Sequence, residues 1–352
     1  MKKLYFILTI ILLAVTNTLQ AQNDSIYFWK SGAMIHKQSI KTIDLDSITF
    51  TAPDVNPNPN PSTIIDILVA SPDFTIFVSA LMRAGLVNTL GGSGSFTVFA
   101  PTNAAFIDSG ITPNIISALP ESDIPALKEL LLNHFLLGVV QSSDFINLNN
   151  SYIKTLGRGS ASSTNTLSMY VSTISGVRLN GISDVTTADI QATNGIIHIV
   201  DAVIPLPTIT NHLITNPEFS TLVSVLTRDG QPDFAALLSG TANSPFTIFA
   251  PVNPAFTALD AELAPGGIAG VSANNITSIL QYHVVASANV LSIALTDGLV
   301  ITSISGQTFQ FSFTGGPRIR DAQNRLSSII LTDIQCSNGV IHALGRVLLP
   351  TF

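Results

Sequence analysis

The chain of 352 residues is 46% apolar and only 11% charged, which excludes a long disordered chain, since disorder needs high charge and low hydrophobicity. Its length suffices for two ordinary domains, each with a core of its own. A formal net charge of −7 leaves no basic surface to attract nucleic acid or anionic lipid, and the many short runs of β-branched residues predict a sheet-rich fold with some helices.

The opening segment, MKKLYFILTIILLAVTNTLQAQ, places Lys2 and Lys3 before an apolar run over 4–15 and a small residue, Ala21. This pattern reads as a secretory signal peptide over 1–21, too short to span a bilayer comfortably. The mature chain is therefore expected to be secreted, periplasmic or held at the cell surface, with no transmembrane segment. Residues 22–52 read as a small β segment, with strands at 26–29 and 47–51 and a tight turn at Ser31-Gly32. PDVNPNPNP, residues 53–61, alternates proline with asparagine and reads as an extended spacer. The single cysteine, Cys336, has no partner in the chain and reads as a small buried hydrophobe.

The remainder is written twice. SPDF at 71–74 matches NPEF at 216–219, each with a capping residue, a proline at the first helical position and an acid next. Behind the first, Phe74, Phe77, Val78, Leu81 and Met82 keep helical spacing, as do Phe219, Leu222, Val223 and Leu226 behind the second. TVFAPTNAAF at 97–106 matches TIFAPVNPAF at 247–256. In each, β-formers precede a proline that ends ladder pairing. Asn103 and Asn253 are expected to cap the helix that follows. LLLNHFLLG at 130–138 matches SILQYHVVA at 278–286, and ATNGIIHIVDAVIPLP at 192–207 matches CSNGVIHALGRVLLP at 336–350. Asn-Gly suits a turn with positive φ, and the apolar run behind it suits a strand buried on both faces. Four landmarks in one order predict homologous domains over 62–207 and 208–350. The short junction PLPTIT, 205–210, points to close tandem packing.

Together the FAPTN block, the Tyr282-His283 pair (Asn133-His134 in the first copy) and the Asn-Gly-x-Ile-His block resemble the fasciclin domain. The likeness covers both repeats. It implies an α+β fold, a β-wedge or sandwich with helices packed on it, and an extracellular adhesion or matrix-associated role. In animal members of this family an Asp-Ile pair ahead of the second histidine block is tied to integrin binding, and the matching positions are Asp189-Ile190 and Asp333-Ile334. The integrin partner is not carried over to this chain. Two departures stand out. Asn133 replaces a tyrosine, and Gly345-Arg346 replaces the acidic stretch kept at Asp201.

For chemistry, the four paired histidines, His134 with His283 and His198 with His342, are the candidates. No H-E-x-x-H, C-x-x-C or G-x-S-x-G accompanies them. Buried neutral histidines bonded within the fold are the expectation; two histidines alone would make an incomplete zinc site. Asp44, Asp46, Asp321 and Asp333 lack calcium-loop spacing, and GGSGS at 91–95 lacks the lysine of a phosphate loop. No catalytic residue, metal or cofactor is therefore assigned. The leading expectation is a non-catalytic adhesion protein that binds an extracellular protein or polysaccharide through exposed loops around Asp189 and Asp333. The alternative is a small-molecule or lipid carrier with an apolar pocket.

Overall fold

The computed structural model describes residues 25–30, 33–39 and 62–352 apart from 93, 149 and 241. The signal peptide, the strand at 47–51 and the spacer expected at 53–61 lie outside the described residues. Strand β1 (Ser25–Lys30) takes in the expected 26–29 and pairs antiparallel with β2 (Ala33–Ser39), which the sequence pattern had not singled out.

Residues 62–352 hold two copies of one α+β design. The first begins with α1 (Ile64–Ala70), a 3-10 turn at Pro72–Phe74 and α2 (Thr75–Arg83). Strand β3 (Phe96–Pro101), α3 (Asn103–Asp108), α4 (Ile124–Leu132) and β4 (Phe135–Leu137) follow. Then come β5 (Ser151–Gly159), β6 (Ser162–Ser172), β7 (Arg178–Leu179), β8 (Ser183–Ala192) and β9 (Gly195–Val200). They make a seven-stranded sheet in the order β4-β3-β9-β8-β7-β6-β5, with β3 and β9 parallel and every other pair antiparallel. Strand β8 changes partner along its length, from β7 at Ser183–Asp184 to β9 beyond Val185. The sheet therefore folds on itself as a wedge.

The second copy repeats this with α5 (Ile209–Thr215), α6 (Ser220–Leu226), β10 (Phe246–Pro251), α7 (Asn253–Glu262), α8 (Ala273–Tyr282) and β11 (Val284–Val285). Strands β12 (Val300–Thr302), β13 (Thr308–Ser312), β14 (Arg318–Arg320), β15 (Leu326–Cys336) and β16 (Gly339–Leu344) complete it. The strand order is again β11-β10-β16-β15-β14-β13-β12.

The parallel pair is buried on both faces, as its unbroken apolar runs require. Val98, Ala100 and Ile197 face the helices, whereas Phe99 and Val200 face a second core inside the wedge with Phe145, Met169 and Leu179. The second copy sorts Ile248, Ala250 and Ile341 from Phe249 and Leu344 in the same way. Phe74, Phe77, Val78 and Leu81 of the helical pattern enter the core, while Met82 at its margin stays 60% exposed.

Both Asn-Gly pairs solve a problem of close approach. A Cβ on Gly195 would stand 1.9 Å from the Phe96 carbonyl oxygen, and one on Gly339 2.1 Å from that of Phe246. Gly195 has a positive φ and Gly339 does not, so contact with the neighbouring strand, common to both, is the shared reason for glycine. The preceding asparagine ties three segments together. Asn194 Oδ1 accepts from Ile64 N at the start of α1, its Nδ2 donates to Leu90 O, and its carbonyl accepts from Phe96 N. Asn338 does the same with Ile209 N, Leu238 O and Phe246 N.

The cap expected of Asn103 and Asn253 is corrected. Thr102 caps α3, accepting from Ala105 N, and Val252 gives α7 no side-chain cap. Asn103 instead reaches the entrance of a different helix: Oδ1 accepts from Ile76 N at 2.9 Å and Nδ2 donates to Pro72 O at 2.8 Å. Asn253 repeats this on Thr221 N and Pro217 O. The FAPTN and SPDF motifs are thus two halves of one joint.

Gly195→Ala and Gly339→Ala are each expected to destabilise their domain by about 3 kcal/mol, because the backbone they would strike cannot yield cheaply. Asn103→Ala, which leaves the α2 entrance unsatisfied, is expected to lose about 1–2 kcal/mol. Urea unfolding measures both. A glycine variant as stable as the parent would show that β3 and β9 do not approach so closely.

Candidate functional site

The paired histidines separate into two kinds. His134 sits where α4 gives way to β4 and is fully buried. Its Nδ1 donates to Leu130 O at 2.9 Å, and its Nε2 accepts from Ile204 N at 2.9 Å. His283 repeats this with Ile279 O and Leu348 N. Each fastens the last segment of its domain to a helix end. The neighbouring position differs between copies. Asn133 bonds Thr155 Oγ1 and the carbonyls of Ile204 and Pro205, whereas Tyr282 donates its hydroxyl to Thr308 O.

His198 and His342 use the opposite tautomer. His198 Nε2 donates to Val140 O at 2.9 Å, so Nδ1 is free to accept from Asp189 N at 3.3 Å. His342 takes Val290 O and Asp333 N alike. Thus the structure brings His198 together with Asp189 and His342 with Asp333. It adds Ser142 and Ser292, which no motif marked: each donates its backbone N–H and its hydroxyl to the aspartate carboxylate. Thr97 completes the clamp, donating to Gly138 O and accepting from Val140 N. The group pins the loop that leaves β4 to the central strands, and Thr247 does so in the second copy.

The Asp-Ile pairs were expected on exposed loops. They lie instead on β8 and β15, at irregularities of register where Asp189 and Asp333 take left-handed backbone, which aspartate tolerates. Ile190 is partly exposed, but Ile334 is 1% exposed and belongs to a core. The second pair is covered by the first domain. Lys154 Nζ donates to Asp333 O, Gln335 N to Ser168 Oγ, and Ala161 N to Ser337 O. At this junction the His212 and Tyr152 rings meet in a T-shaped arrangement with centroids 5.3 Å apart, and Asn216 donates to the Tyr152 hydroxyl. His212 is buried.

The electrostatics match this structural use. Burial pushes the pKa of His134 and His283 down to about 4, against the contrary pull of the backbone carbonyl each ring meets. Burial also lowers His198 and His342, and takes His212 to about 3. Burial raises the Asp189 carboxyl, yet the two Ser142 bonds and His198 outweigh it and hold the group below the usual carboxylate range. Burial drives the Cys336 thiol upward, as suits an inert core residue. All four paired rings are neutral with both nitrogens engaged, which leaves no lone pair for a metal or a substrate proton. Two apolar crevices of about 10 and 40 Å³ lie among the helices of the second domain. Neither approaches the several hundred Å³ that a small-molecule site occupies. Among the described residues no single helix is long and apolar enough to cross a membrane.

Comparison with known proteins places this geometry. The family model described as the fasciclin domain matches the chain twice, over 72–207 and 217–350. Protein sll1483 of Synechocystis is 32% identical over 137 residues, covering 38% of this chain and 69% of that protein. Transforming growth factor-beta-induced protein ig-h3 of Sus scrofa is 27% identical over 271 residues, and periostin of Homo sapiens 26% over 279. Each covers 74% of this chain, which spans 35% and 29% of their respective lengths. Among solved structures, a FAS1 domain pair from the insect cell adhesion molecule fasciclin I matches with a TM-score of 0.48 and 19% identity, over 78% of this chain and 95% of that one.

The buried histidines set a pH dependence. A histidine held neutral in the fold adds stability that is full above its unfolded pKa, near 6.5, and is lost as pH falls toward its folded value, about 4. His134 and His283 are each expected to cost about 3 kcal/mol of unfolding free energy across that window. Urea unfolding as a function of pH, with ring C–H shifts followed by NMR, checks this. A native-state ring that titrates near its ordinary value would contradict the buried bonding described.

Proposed function

The chain belongs to the fasciclin domain family, and from that membership we propose that it is a non-catalytic recognition protein of the exported, adhesive kind. Its partner would be an extracellular protein or polysaccharide. The observation that carries this reading is the double family match, spanning both domains. The engagement of the four paired histidines within the fold supports it, because each ring nitrogen already has a partner there. Recognition then falls to the surface. Of the two Asp-Ile pairs, Asp189-Ile190 is the one proposed as part of it. The Asp333-Ile334 pair is withdrawn, since the first domain covers it.

The test is solid-phase binding of the chain to a panel of polysaccharides and matrix proteins at several salt concentrations. Saturable binding to one class is expected. With a net charge of −7, binding to a basic partner should weaken as salt rises. Ile190→Arg, at a partly exposed side chain that also packs on the first core, should reduce it at least tenfold while circular dichroism shows the fold retained. Binding to nothing on the panel would overturn the adhesive reading.

A further inference from the structure

The two domains carry the same pair of surfaces, and only one of each is used. The first domain presents the β5–β6 ribbon, and the second presents the face formed by α5 and the edge of β15. These meet through Tyr152 on His212 and Asn216, Lys154 on Asp333 O, and Ser168 on Gln335 N. The ladder registers fix the equivalences. Val300 stands for Tyr152, Thr302 for Lys154 and Thr308 for Ser168 on the second domain's β12–β13 ribbon. On the first domain's α1 and β8 face, Ile67 stands for His212, Ser71 for Asn216 and Gln191 for Gln335.

Both equivalent surfaces are open within the two-domain unit. Gln335 is 1% exposed whereas Gln191 is exposed, and Val300 is 53% exposed. Their differences from the used pair are matched to each other. Where Tyr152 meets His212, an aliphatic Val300 would meet an aliphatic Ile67. Where Asn216 donates to the tyrosine hydroxyl, there is no hydroxyl to serve and Ser71 stands in its place. Lys154 becomes the uncharged Thr302, so no cation needs a carbonyl partner. The hydroxyl that receives Gln335 N is kept at Thr308. A ribbon with no acceptor and an acceptor with no ribbon, both within the two-domain unit, make a contact that is not self-complementary and that joins head to tail.

We propose that the β12–β13 ribbon of one chain docks on the α1–β8 face of a second copy, repeating between molecules the junction that the two domains make within one. This deepens the recognition reading, on which it rests, by giving the Asp189–Ile190 face a second copy of the chain as its partner. Successive copies then build an open line, or a ring where the rotation closes.

Sedimentation velocity over a wide range of concentration tests it. The parent chain is expected to gain mass with concentration. Val300→Asp and Ile67→Asp should each remain at the mass of one chain. Mixed in equal amounts, they should give twice that mass and no more, since each retains the end the other lacks. Because Ile67 also packs on its own core, circular dichroism of that variant is checked, and the exposed Gln191→Arg serves as a second block on the same face. A parent chain that stays monomeric, or one that dimerises unaffected by all three substitutions, overturns the proposal. Binding to the matrix panel by a strictly monomeric chain rejects the head-to-tail contact alone. Self-association without panel binding supports the contact and rejects the adhesive reading.

Discussion

Each domain depends on one constraint: a pair of parallel strands, β3 with β9 and β10 with β16, buried on both faces. Parallel pairing brings together a strand from early in the domain and one from its end. The ends of that pair are buried, so every backbone group there must find a partner in the protein. The repeated letters of this chain are mostly the answer to that requirement. Asn194 and Asn338 close one end, while His134 and His283 tie the final segment to a helix terminus. His198 and His342 hold the loop that leaves the adjoining edge strand. The glycine beside each asparagine is there because the strands come too close for a side chain.

That constraint explains why the motif histidines are poor candidates for chemistry. A catalytic or metal-binding imidazole needs a nitrogen with access to something other than the fold. Here the two rings of a domain use opposite tautomers, and each tautomer is dictated by a fixed carbonyl on one side and a fixed N–H on the other. Charging either ring would turn its acceptor nitrogen into a second donor facing an N–H. Burial is what depresses their pKa values, against the pull of the carbonyl each ring meets. An identical arrangement in both copies, down to the serine bonded to each aspartate, is what a folding requirement produces when a domain is duplicated.

What the sequence made legible was local or periodic. The repeat, the α+β class, the helix starts at SPDF and NPEF, and the doubly buried strands could all be read from spacing and cap chemistry. The long-range partners could not. Asn103 looked like a cap because it follows a proline at the start of a helix, yet its bonds run to Pro72 and Ile76, and nothing in local spacing announces a partner so far back. Asp189 and Ile190 looked like loop residues because a left-handed aspartate inside a strand has no periodic signature. Ser142 and Ser292 were overlooked for a similar reason: they lie in unlike sequences, SSDF and LSIA, and share only a position in space.

Identity between the copies thus marks the fold, and difference between them marks what the surface can do. The used junction is polar and aromatic, with Tyr152, His212, Lys154 and Asn216. The unused surfaces at the same positions are small and aliphatic, with Val300, Ile67, Thr302 and Ser71. The β12–β13 ribbon has Val300 in place of a tyrosine, and Ile67 and Ser71 offer neither imidazole nor amide at the positions that would meet one. Such matched change on two surfaces that do not touch within the molecule requires an explanation, and an encounter between molecules supplies one. It also bears on selectivity. The long β5–β6 ribbon packs its Gly159 against Ser337, where a Cβ would stand 2.2 Å from the Ser337 Cα. The shorter β12–β13 ribbon has no such extension, so the contact with Ser337 is one that the β5–β6 ribbon makes and the β12–β13 ribbon does not.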